Sequence, residues 1–190
     1  MSSAREATPE PIELGNGPVE LEVFLEPTCP FSKRAFEKVQ PLLAAVGEDE
    51  LTIKFRFLSQ PWHLSSAVVT RCILAATATA GGKQAGLATM SAIYGHREEF
   101  ESDDHCSGPS MDRSPAQTIA RVSELCGMDL IEAFKLKSVD LALRWHTRYC
   151  RQNGVHVSPT FAVNRLINHA MSSGQTVKEW SKELGFDLGS

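Results

Sequence analysis

The sequence predicts an α/β protein built as a βαβ unit, a long helical block, and a closing ββα unit. Three observations carry that prediction. Residues 19–25, VELEVFL, and 51–59, LTIKFRFLS, read as strands on either side of one helical stripe. Residues 63–153 then hold alanine-rich and amphipathic helical patterns with no strand signal between them. From 154 onward the chain returns to short β-branched and aromatic runs, VHVSPTFAVNRLI, and ends on a helix.

Each element has a local reason. VELEVFL alternates and then turns continuously apolar, as a strand buried on both faces does. Pro30 stands where a helix tolerates proline, in its first turn. Ala35, Phe36, Val39, Leu42, Leu43 and Val46 then recur at three and four. Pro41 falls inside that stripe and is expected to kink or divide the helix, and Gly47 to end it. A strand, helix and strand of these lengths make one right-handed βαβ crossover.

Within the block, HLSSAVVTRCILAATATA predicts a helix closed by Gly81 and Gly82. A polar loop, SDDHCSGPSMDRSP, precedes a helix capped by Ser114 and Pro115 and running to Cys126. One further helix is expected over 129–152, with Trp145 and Tyr149 in the core. The last part predicts an antiparallel hairpin turning at Asn164-Arg165, then a helix opened by Thr176 and Glu179 as a capping box. The expected division is a flexible leader over 1–18, a domain made of 19–62 and 154–190, and an inserted helical domain over 63–153.

The chain has 190 residues, 42% hydrophobic and 22% charged, the composition of an ordinary globular protein. A net charge of −4 argues against a nucleic-acid binder. No apolar run reaches the roughly 18–20 residues of a membrane span. Five cysteines, an odd number at wide spacing and without a visible secretory signal, predict free thiols in a cytoplasmic setting rather than a disulfide framework. The six histidines show no metal-ligand spacing.

The chemistry concentrates in EPTCPFSKR, residues 26–34. Cys29 falls at a strand-to-helix junction, where unpaired backbone N–H groups and the helix dipole favour a thiolate by about 0.3–1 kcal/mol. Ser32, one turn on, is expected to donate a hydrogen bond to the sulfur. Lys33 and Arg34 add positive charge, and Glu26 opposes it if ionised and close. Pro30 and Phe31 flank the thiol as candidate substrate contacts. The second segment is Ser158-Pro159 at the mouth of a late strand, a candidate cis-proline turn whose backbone would pair with an extended peptide or glutathione. His63, just beyond the second strand, has two readings, a cap of the following helix, which is the commoner role, or a residue lining the same cleft. Cys72, Cys126 and Cys150 lie among apolar helical neighbours and read as core residues, while Cys106, in the polar loop, is a candidate distal resolving thiol.

LEVFLEPTCPFS, the Pro41 position, FRFLSQPWH with the alanine-rich helix after it, and VSPTFAVNRLI together resemble the thioredoxin fold, and within it the DsbA-like branch with its inserted helical domain. The resemblance spans nearly all of 19–186. It implies a nucleophilic Cys29, a cis-Pro159 packed beside it, and thiol–disulfide exchange with protein or small-molecule partners. The dithiol members carry cysteine where Ser32 stands. CPFS therefore predicts a monothiol site, similar to monothiol glutaredoxins, needing a second thiol from elsewhere. No tightly bound cofactor is expected, and glutathione is a candidate co-substrate. Two alternatives stay open at this level: a glutathione-dependent transferase or isomerase of kappa-like type, and a degenerate thioredoxin-fold binding module without redox activity.

Overall fold

The computed structural model describes residues 7–105 and 107–189. The sheet has five strands in the order β1-β3-β2-β4-β5. Strand β2 (Val19–Leu25) lies at its centre, because five consecutive residues, Leu21 to Leu25, are fully or nearly fully buried. It pairs in parallel with β3 (Leu51–Phe57), with Val19 opposite Leu51 and Leu25 opposite Phe57. The strict alternation of β3 reappears as alternating burial, apolar residues inward and Thr52, Lys54 and Arg56 outward. Helix α1 (Pro30–Val46) makes the crossover and buries Ala35, Val39, Leu42 and Leu43. Pro41 lies inside this helix without dividing it.

The inserted block follows as α2 (Ser66–Thr77), α3 (Gly82–Gly95), two short 3₁₀ turns at Arg97–Glu99 and Pro109–Asp112, α4 (Pro115–Cys126), α5 (Ile131–Phe134) and α6 (Lys137–Gln152). The capping box of α4 forms between Ser114 and Gln117. The single helix expected over 129–152 is two. Leu136 is extended (φ −58°, ψ 138°), which breaks the ladder between α5 and α6. Arg71 of α2 fixes the break by donating to the Phe134 carbonyl at 2.8 Å. Trp145 is also not a core residue; it is 43% exposed and stacks on Tyr149 at 4.9 Å, with the Arg56 guanidinium against both rings.

Strand β4 (Thr160–Val163) returns antiparallel to β2, with Phe24 opposite Thr160, and β5 (Leu166–Ile167) closes the hairpin. Asn164 and Arg165 take the turn with positive φ, 48° and 70°. Helix α7 (Val177–Glu183) buries Trp180 edge-on against Phe161 at 4.9 Å.

The leader departs from expectation. Among its described residues, β1 (Glu13–Leu14) pairs antiparallel with β3, and the Ile12 carbonyl accepts from Phe55 N–H at 3.0 Å. Ile12 is 3% exposed. Gly17 makes the approach possible: a Cβ there would lie 1.9 Å from the Glu50 carbonyl carbon. Among the described residues no helix is long and apolar enough to cross a membrane.

Candidate active site

The parallel register carries the chain out of β2 at Leu25 and straight into the turn Glu26-Pro27-Thr28 before α1. Cys29 is the N-cap residue of α1, with Pro30 at its first position and Lys33 N–H returning to the Cys29 carbonyl at 3.0 Å. The antiparallel pairing of β4 delivers the opposite wall. The Ser158–Pro159 peptide bond is cis. Cys29 Sγ, in a residue only 6% exposed, donates to the Ser158 carbonyl at 3.7 Å. Two segments separated by 129 residues thus meet at one sulfur.

Cys29, Pro30, Phe31 and Ser158 line one cleft of about 330 Å³, together with Gln60, Trp62, His63, Arg97, Asp103 and His105. Pro159 and Ser32 lie outside this lining. Ser32 is fully buried, and its hydroxyl oxygen accepts from Glu26 N–H at 3.1 Å. Among the described residues no hydrogen bond joins Ser32 to the Cys29 sulfur. Its hydroxyl is directed to the backbone that precedes the helix, so the partner of the thiol is the Ser158 carbonyl instead. The rim is apolar and exposed: Phe31, Trp62 and Val157 are 50%, 48% and 64% accessible.

The turn before Cys29 joins His63 in a buried polar cluster. The Glu26 carboxylate, with no solvent exposure, accepts through Oε2 from Thr28 N–H at 3.1 Å and from the Thr28 hydroxyl at 2.7 Å. His63 Nδ1 reaches the same Oε2 at 2.9 Å and Thr28 Oγ1 at 2.7 Å. Two buried oxygens here, Glu26 Oε1 and the Tyr94 hydroxyl, have no hydrogen-bond partner among the described residues. Burial pushes the Tyr94 hydroxyl well above the ordinary tyrosine range, and the negative charges of Glu26 and Cys29 push the same way. Arg97, 4% exposed, spans the helical block and the site by donating to the carbonyls of Thr28 (3.3 Å) and Glu101 (3.2 Å).

The other described cysteines are differently placed. Cys72 is buried and its thiol is pushed up to about 12, chiefly by burial. Cys150 is pushed up to about 11 for the same reason and donates to the Phe57 carbonyl at 3.3 Å. Cys126 is part-buried and donates to the Ser123 carbonyl at 3.6 Å. Cys106, the candidate resolving thiol, lies outside the described residues. No group of three or more His, Cys, Asp or Glu side chains fit to hold a metal exists among the described residues.

Of the residues singled out in the sequence, the structure brings Cys29, Pro30, Phe31 and Ser158 to one cleft, and it places His63 in that lining, the less common of its two readings. The sequence reading assigned no role to Thr28, although it lies within EPTCPFSKR, nor to Gln60, Arg97 and His105, which reach the site from two other segments and carry no local motif.

No protein-family model matches the chain, and no curated protein matches it. Among solved structures, a Pseudomonas syringae protein described as a "putative protein-disulfide isomerase" is 50% identical, with a TM-score of 0.90 over 92% of this chain and 97% of its own. A thioredoxin-like oxidoreductase from Silicibacter pomeroyi is 21% identical, with a TM-score of 0.63 over 87% of this chain and 88% of its own. DsbA of Chlamydia trachomatis is 15% identical, with a TM-score of 0.66 over 97% and 93%. At those two lower identities the likeness is one of fold.

Proposed function

The chain belongs to the DsbA-like thiol-disulfide oxidoreductases, and from that premise we propose that it works as a monothiol member, exchanging disulfides through Cys29 alone. The observation that carries this reading is Cys29 Sγ facing the Ser158 carbonyl at the start of α1, with serine where a second motif cysteine would stand. In the exchange, the Cys29 thiolate attacks one sulfur of a partner disulfide. The Cys29–partner S–S bond forms, the partner's own S–S bond breaks, and the departing sulfur leaves as thiolate. The electron pair stays with the leaving sulfur.

Ser32 cannot close a disulfide within the motif, so the mixed disulfide waits for a second thiol. We assign that role to a small thiol such as glutathione, which would attack the mixed disulfide and return Cys29 to its reduced form. The Ser158 backbone beside the sulfur aligns an extended chain. Phe31, Trp62 and Val157 add an exposed apolar rim that suits a polypeptide partner.

Insulin reduction in the presence of glutathione tests the proposal with three proteins. Wild type is expected to be active and Cys29→Ala inactive. Ser32→Cys is expected to remain active and to depend less on added glutathione. Activity that appears only in Ser32→Cys would overturn the monothiol reading.

A further inference from the structure

We propose that His63 carries the proton during exchange at Cys29, and that His105, packed against it, connects it to solvent. The inference rests on Cys29 being the exchanging thiol.

Thr28 gives its one hydroxyl hydrogen to Glu26 Oε2. The contacts of His63 Nδ1 to Glu26 and Thr28 are therefore filled by the imidazole's own N–H. That assignment leaves Nε2 as the free proton acceptor of a ring that lines the cleft with Cys29. His105 repeats the arrangement. Its Nδ1 lies 2.9 Å from Glu101 Oε1, and the other oxygen of that buried carboxylate accepts from Leu64 N–H at 3.1 Å. The two rings lie 4.7 Å apart at 44°. The side chain of His63 is 4% exposed and that of His105 is 43%. A buried imidazole beside a half-exposed one makes a route from the enclosed thiol to water. Each ring is oriented by its own buried carboxylate, and the remaining charges at the cleft, Arg97 and Asp103, pair with each other at 2.7 Å.

The step balances without another reactant. The Cys29 thiol gives its proton to His63 Nε2, and Glu26 compensates the imidazolium. The thiolate attacks the partner disulfide, and the proton then passes to the departing thiolate, leaving neutral His63, a mixed disulfide and a free thiol.

The assignment predicts dependence on the leaving group, because a basic alkyl thiolate needs the proton and a nitro-substituted aromatic thiolate leaves without it. Rates of exchange with oxidised glutathione and with a nitro-substituted aromatic disulfide separate the cases. His63→Ala and His63→Gln are expected to lose about 10²-fold or more with oxidised glutathione and distinctly less with the aromatic disulfide, whose exchange needs His63 to take the Cys29 proton but not to return it. Added imidazole is expected to restore His63→Ala in part. His105→Asn, a change at a half-exposed ring, is expected to show a smaller loss confined to oxidised glutathione. Equal losses with both disulfides, or unchanged rates in His63→Gln and His105→Asn, would overturn the proton route and leave Cys29 exchange standing. A wild type inert toward both disulfides would instead remove the monothiol reading, and this inference with it.

Discussion

Cys29 and the buried thiols of the same chain differ in what a negative charge on sulfur would meet. At Cys72 it would meet apolar side chains, and the thiol is held near 12. At Cys29 it would meet the open end of α1 and the polar turn that leads into it. Alkylation at neutral pH is therefore expected to label Cys29 well before Cys72 or Cys150, read by peptide mapping. Ser32 was legible as a neighbour of the thiol but not in its orientation, because a serine in a first turn can bond to backbone as readily as to sulfur. His146 gives a second residue-scale outcome. Burial, aided by Arg56, holds its imidazole down near 3, and Nδ1 accepts from Phe57 N–H at 3.3 Å. The unfolded chain binds that proton near pH 6.5 and the folded chain does not until about 3. This contribution to stability is thus full above about 6.5 and declines as pH falls toward 3, by up to about 1.4 kcal/mol per pH unit. Urea unfolding at pH 7 and pH 5 should show a smaller acid loss in His146→Gln than in wild type; equal losses would assign the acid sensitivity elsewhere.

Elements with a strong period were legible. β2, α1 and β3 follow their apolar patterns, Ser114 caps α4 and the Thr176–Glu179 capping box opens α7, while the part of Gln117 in a second capping box was not read. Removing the α7 cap by Thr176→Ala is expected to cost about 1 kcal/mol, read as a lower urea midpoint. Elements set by packing were not legible. The apolar period runs through Leu136, yet tertiary contacts from Arg71 end α5 there. Trp145 has helical spacing for the core, but Arg56 offers it a cation face near the surface, and aromatic–cation packing overrides the stripe. β1 spans two residues, too short for any period to show.

Across the whole molecule, sequence order hides the site because its walls come from segments 29–31, 60–63, 97–105 and 157–158. The thiol and the late proline turn were legible as halves, since each has a local signature at a strand end. The Glu26–His63 pair and the reach of Arg97 were not, because only the folded sheet and helical block bring them together. The N-terminal segment belongs to the same long-range assembly: Ile12→Ala is expected to destabilise the protein by about 2–5 kcal/mol, whereas a mobile leader would give no change. The monothiol mechanism meets its most direct test in incubation with oxidised glutathione followed by intact-mass and peptide mapping. One glutathione is expected on Cys29, stable until a second thiol is added and absent from Cys29→Ala. Absence of a Cys29 adduct, or a disulfide between Cys29 and another cysteine of the chain, would contradict it.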